Sequence, residues 1–312
     1  MFRLLRALAG ALLLAALLSG CATPQVAALL EHPPADLAAR AEIRGAPFYP
    51  QEDYQCGPAA LATALVYSEA RTSPEALVDE VYIPAREGAL QAEMLAATRR
   101  HQRIAYVLAP QLEDVLREVA AGTPVVVLQN LTFSFAPLWH YAVVVGYDRA
   151  KQEIVLRSGV TERLTMTLAN FERTWARSGR WAMIAVSPER LPATAHEDAY
   201  AGAAVALERV APEAARMAYA TALARWPRNL LARMALGNRA YRARDYAAAA
   251  AEYRRAADDH PDAADAWNNL AQALLQLGRK PEALQAAQRA LALGGERRAV
   301  YERTLKTIAG SR

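Results

Sequence analysis

Cysteine is scarce: 312 residues contain only Cys21 and Cys56. If Cys21 is modified, Cys56 has no intrachain partner, which excludes a fold stapled by disulfides. Histidine is nearly as rare, with five copies. Arginine never gathers into a stripe but is scattered along helical segments, and the net charge is only +4. This excludes a nucleic-acid surface built on a basic patch. A permanent membrane-spanning helix is also missing, because the apolar run Ala7 to Leu18 is too short to cross comfortably. What the chain does have is core-forming material. With 54% hydrophobic and 22% charged residues it is not broadly disordered. Its length suits more than one domain.

The first twenty residues read as a signal peptide. Arg3 and Arg6 supply the basic region ahead of the apolar run. The run ends in Leu18-Ser19-Gly20-Cys21, which resembles a bacterial lipobox. That resemblance implies cleavage before Cys21, a diacylglycerol on its sulfur and acylation of the new N-terminus. Several acyl chains would anchor the chain stably, since each buried methylene contributes about 0.8 kcal/mol. Position 22 is Ala rather than Asp, which favours the outer membrane of a Gram-negative cell, facing the periplasm. An unpaired Cys56 in that oxidising compartment is expected to be reactive.

Residues 21–45 are expected to be a lipidated tether, interrupted by His32-Pro33-Pro34. Over 46–190 the pattern predicts helices at Cys56–Ala70, from Ser73, at Gly88–His101 and at Leu112–Ala120. Strands follow at Val125–Leu128, His140–Gly146, Glu153–Arg157, Arg163–Thr167 and Arg180–Val186, with a short helix at Leu168–Ala176. Helices first and an antiparallel sheet after make an α+β layout. Residues 196–312 are helical and repeat every 34 residues. Tyr219 and Tyr253, Pro227 and Pro261, and the set Ala222, Ala256 and Ala290 keep this period. Leu236-Gly237 and Leu270-Ala271 take the paired large and small position, with Trp267 three residues ahead of Leu270. This resembles the tetratricopeptide repeat, whose helical pairs stack into an all-α solenoid. About three units are expected from His196 to Glu296, with Tyr301–Ile308 as a capping helix.

Cys56 opens an Ala/Leu-rich helix, where the dipole and free N–H groups favour a thiolate. Pro58 suits the first turn, and Gly57 would leave the approach to sulfur open. Of the five histidines, only His140 leads an apolar strand that would hold its ring rigidly, which makes it the candidate base. The Cys56 N–H and a glutamine amide, from Gln51 or Gln55, could stabilise an oxyanion; Gln51 is preferred because a residue adjacent to the nucleophile usually points away.

Gln51…Cys56-Gly57-Pro58-Ala59, then Gly122-Thr123-Pro124-Val125-Val126, then His140-Tyr141-Ala142-Val143-Val144-Val145-Gly146-Tyr147 resembles family thirty-nine of the cysteine peptidases. These papain-like domains are known for cleaving leader peptides after double glycine. The resemblance covers about residues 46–188. It implies Cys56 as nucleophile, His140 as base, Gln51 as oxyanion donor and no cofactor or metal. The chain departs from the family twice. Gln51 stands five residues before the cysteine, not six, and no acid follows on the next strand. A hairpin centred near Arg149 would bring Ser158 opposite His140, so Ser158 is the orienting candidate. The expected function is peptide-bond hydrolysis on a peptide or protein substrate, with the repeats recruiting a protein partner. A catalytically inactive peptide-binding scaffold is the alternative, and amide or acyl transfer a third.

Overall fold

A computed structural model describes residues 23–51 and 55–311. The chain divides into two compact units. The first runs to Ser187 and takes in Pro192–Thr194; the second comprises Pro188–Leu191 and Ala195–Arg312.

In the first unit, helices α1 (Pro24–Glu31), α2 (Cys56–Tyr67), α3 (Pro74–Val81), α4 (Gln91–Arg100), α5 (Leu112–Ala120) and α6 (Leu168–Ala176) surround one antiparallel sheet. Its strands are β1 (Arg40–Glu42), β4 (Ile104–Val107), β5 (Val125–Asn130), β6 (Trp139–Asp148), β7 (Glu153–Ser158), β8 (Thr161–Thr167) and β9 (Ala182–Val186). They lie in the order β4-β9-β5-β6-β7-β8, and β1 pairs with the far end of β6. β2 (Tyr82–Ile83) and β3 (Gly88–Ala89) form a separate small ribbon. Every residue of α2 from Gly57 to Leu65 is buried, as an apolar face on all sides of a helix requires. Val125–Val127 and Tyr141–Tyr147 are likewise buried, which explains why these strands read as continuous apolar runs.

Three expectations need correction. The tether drawn over 21–45 is not loose from Pro24 onward. Val26, Leu29, Leu37 and Ile43 are buried, and Arg40–Glu42 joins the sheet. Helix α1 is capped from a distance by Glu172 of α6, whose carboxylate accepts from the N–H groups of Gln25 at 3.1 Å and Val26 at 2.8 Å. These first-turn donors have no partner within their own helix. His32 caps the other end, where the two prolines stop the helix. Second, the helix expected from Gly88 begins at Gln91, because Gly88 and Ala89 pair with Tyr82 and Ile83. Third, β4 was not anticipated.

Glu172 is 1% exposed, so losing its carboxylate would strand two backbone donors. Glu172→Ala is expected to destabilise this unit by about 3 kcal/mol. Glu172→Gln, which retains one acceptor, should cost less. The urea midpoint at unchanged slope measures both.

The second unit is helical: α7 (Glu197–Glu208), α8 (Pro212–Arg225), α9 (Leu230–Arg242), α10 (Tyr246–Asp259), α11 (Ala264–Gln276), α12 (Lys280–Leu293) and α13 (Arg298–Gly310). Three pairs and a final helix follow the 34-residue period. The period has a steric cause. Tyr219 and Tyr253 are buried, and a Cβ on Gly237 would come within 2.5 Å of the Tyr253 ring. The small position is small so that the tyrosine of the next helix can close on it. Tyr301 and Ile308 of the last helix are buried, as a cap requires. Among the described residues no helix is long and apolar enough to cross a membrane.

Candidate active site

Helix α2 begins at Cys56, with Gln55 as its cap residue. Gly57 serves packing rather than access to sulfur: a Cβ there would lie 2.5 Å from the Ala89 Cβ. Only a hydrogen lets β3 close against the start of the helix. The Tyr141 ring lies on the same spot, 3.7 Å from that Cβ position, and its hydroxyl donates to the Ala89 carbonyl at 3.3 Å.

Strand β6 carries His140 at its start. The β5 partner of His140 is Gln129, whereas the paired register with β7 runs only from Val143 opposite Arg157. Continuing that ladder puts Ser158 opposite Ala142, not opposite His140, because the hairpin is centred beyond Arg149; the β6 bulge between Val144 and Gly146 takes back one residue of that offset. Ser158 nevertheless reaches the ring as a diagonal neighbour on the same face. Its Oγ lies 2.8 Å from His140 Nε2. Asp148 is occupied at the turn, accepting from the Lys151 N–H at 3.1 Å.

Gln51, Cys56 and His140 line one cleft of about 850 Å³, together with Tyr141, Gly159 and Trp139. Gln55 is not among its lining residues. The Gln51 N–H donates to the Gly159 carbonyl at 3.2 Å. Its Oε1 is buried without a hydrogen-bond partner among the described residues. The other described histidines are placed elsewhere: His101 on Glu80, His260 on the Arg228 carbonyl, and His32 and His196 as helix caps. Cys21 lies outside the described residues.

Electrostatics modify the sequence-based expectation at sulfur. Burial pushes the Cys56 thiol up, and the backbone N–H groups of Tyr141, Gly57 and Cys56 itself only partly offset this. Burial also pushes the His140 imidazole down. Desolvation therefore outweighs the helix start and favours the neutral thiol and neutral imidazole over thiolate and imidazolium.

Sequence reasoning missed the clamp that holds the constellation together. Three consecutive residues at the end of β7 each hold a different piece. Arg157, 7% exposed, donates from Nη2 to the Ala46 carbonyl at 3.2 Å, fixing the segment that leads to Gln51. Ser158 holds His140, and Gly159 holds Gln51. An arginine beside a glycine-containing turn carries no signal of this kind in sequence.

The model of the Peptidase_C39 like family matches residues 43–183, the segment that contains the cleft. Residues 43–183 are thus similar to the C39-like peptidases. A tetratricopeptide repeat model matches residues 234–297, covering the second and third helical pairs. The C39-like domain is also similar to a solved structure described as a C39-like peptidase from Bacillus anthracis. That match has 19% identity and a TM-score of 0.40, and covers 48% of this chain and 98% of the other. No curated protein matches the sequence. The chain therefore joins a C39-like α+β domain to tetratricopeptide repeats.

Proposed function

We propose that the C39-like domain is a cysteine peptidase acting at the outer membrane, anchored through acylated Cys21 and facing the periplasm of a Gram-negative cell. The observation that carries the reaction is the 2.8 Å contact of His140 Nε2 with Ser158, on a cleft that also holds Cys56 and Gln51. With Nε2 engaged, Nδ1 is the nitrogen left to take the thiol proton. As the proton moves to His140, the Cys56 sulfur bonds to the substrate carbonyl carbon and the π pair moves to oxygen. The Cys56 N–H and the Gln51 amide hold that oxyanion. Collapse breaks the C–N bond, and the imidazolium protonates the departing amine. Water then attacks the thioester with His140 as base, releasing the acid and restoring the thiol. A neutral resting pair is compatible with this cycle, since substrate binding supplies the polar contacts that favour charge separation. The repeats recruit the protein partner or substrate, as their stacked surface suits.

A second reading has its own observation. Burial shifts both partners toward neutrality, and a serine stands where the family has an acid. On that reading the domain binds peptides without cleaving them. Comparing envelope protein N-termini between wild type and Cys56→Ser separates the two. New N-termini that vanish in the variant are expected, and an unchanged set would leave only the scaffold.

A further inference from the structure

Between β5 and β6 the chain makes an apolar projection. Residues Leu131 to Trp139 include no charged side chain. Phe135, at 86%, is the most exposed large apolar side chain among the described residues, and Phe133 is 64% exposed. Their rings stack on each other with centroids 5.3 Å apart and planes 7° from parallel. Leu131, Leu138 and Trp139 line the cleft, but Phe133 and Phe135 do not. Substrate binding in the cleft leaves those two rings unexplained.

The projection is closed on itself. Leu131 N–H donates to the Leu138 carbonyl at 2.9 Å, and Ala136 N–H to the Phe133 carbonyl at 3.2 Å. The Asn130 side chain accepts from the N–H groups of Thr132 and Leu138, both at 3.1 Å. It donates back to the Phe133 carbonyl at 3.3 Å. Arg177, at the end of α6, donates to the Thr132 carbonyl at 2.7 Å. Pro137 has no N–H to satisfy. These bonds satisfy the base of the projection and leave the tip at Phe133–Phe135 to find partners at the polar headgroup level.

Its location supplies the second argument. Arg177 holds the base of the projection, and Glu172 of the same helix holds the N–H groups of Gln25 and Val26. Helix α6 has nine residues. At about 1.5 Å per residue it is roughly 13 Å long, so both attachments share one small region of the domain. Cys21 precedes Gln25 by four residues, a reach of about 14 Å at most.

We propose that residues 131–139 form a lipid-contacting finger. Phe133 and Phe135 enter the headgroup–acyl boundary beside the acylated Cys21 and hold the mouth of the Cys56 cleft against the membrane surface. The inference rests on the acylation of Cys21. Two membrane signals together fix orientation, where acyl chains alone leave a domain free to tumble.

The test uses the full acylated chain reconstituted in vesicles of phosphatidylethanolamine and phosphatidylglycerol carrying brominated acyl chains. In Phe135→Trp, the added indole emission is expected to be quenched at least twofold relative to non-brominated vesicles. Solvent-like, unquenched emission from protein whose mass shows the acyl groups overturns the finger. If the mass shows no acyl groups, the anchor reading falls and the placement beside Cys21 falls with it, whether or not the indole is quenched. In Phe133→Ser/Phe135→Ser, cleavage of a soluble peptide without vesicles is expected to keep its KM. A KM raised more than tenfold there would assign the rings to substrate and also overturn the proposal.

Discussion

Cys56→Ala is expected to lower kcat for peptide cleavage by at least about 10⁴-fold, because no other group in the cleft can form the thioester. His140→Ala is expected to cost about 10³-fold through loss of the proton shuttle. The double variant should be hardly slower than Cys56→Ala alone, since the two act as one unit. Ser158→Ala should fall well short of either. It removes the 2.8 Å contact that orients the ring but leaves ring and sulfur in place. Steady-state kinetics on a peptide from the envelope screen, with denaturation curves to verify folding, measure the set. Equal activity of wild type and Cys56→Ala would assign any observed cleavage to a contaminant and the domain to binding only.

The second large effect is the pH dependence of Cys56 alkylation. A buried thiol pushed up by desolvation is protonated at neutral pH, and below its pKa the thiolate fraction rises tenfold per pH unit. Iodoacetamide labelling of free protein is therefore expected to increase about a hundredfold between pH 7 and pH 9. The direction follows from the shift: an acid whose pKa is raised reaches its reactive anion later as pH climbs. His140→Ala should barely alter the profile, because the neutral imidazole contributes no charge at rest. Ser158→Asp should change it most. A carboxylate beside Nε2 favours the imidazolium, which in turn favours the thiolate, so labelling at pH 7 should rise more than tenfold. A flat rate from pH 6 to pH 9 in the wild type would show a preformed ion pair and contradict the effect of burial.

Much of this site could be read from the sequence because its chemistry is tied to strong local patterns. Cys56 begins an Ala/Leu run that can only be a buried helix, and His140 begins a valine-rich run that can only be a central strand. Both elements occur as expected and both side chains face one cleft. Ser158 was found by counting across a hairpin, and the contact exists although the register differs. The sequence does not reveal the bulge between Val144 and Gly146 that shifts the ladder. The 34-residue period was legible for a similar reason, since Tyr253 needs the small Gly237 in the neighbouring helix.

The parts that escaped depend on distant partners. Arg40–Glu42 has no strand-like alternation and is a strand only because β6 offers a free length of edge, extended by the Ile43 N–H donating to the Val145 carbonyl at 2.7 Å. Ile104–Val107 is too short an apolar run to be told from a helix segment without β9 beside it. The packing of α1 turns on Glu172, about 146 positions away in sequence. Charge balance at Cys56 escaped too, because a helix start is visible in sequence and the degree of desolvation is not. Likewise, the aromatic residues from Leu131 to Trp139 look like core, and only their exposure in the folded chain shows otherwise.

The protonated state of the resting sulfur also bears on durability. Peroxides convert thiolates, far faster than thiols, to sulfenic acid, and further oxidation is irreversible. Among the described residues Cys56 has no resolving partner, and it would be consumed in this way if it rested as an anion. In the proposed cycle, a thiol kept uncharged between turnovers and ionised only once a peptide fills the cleft would expose Cys56 to oxidants for only a small part of its working life.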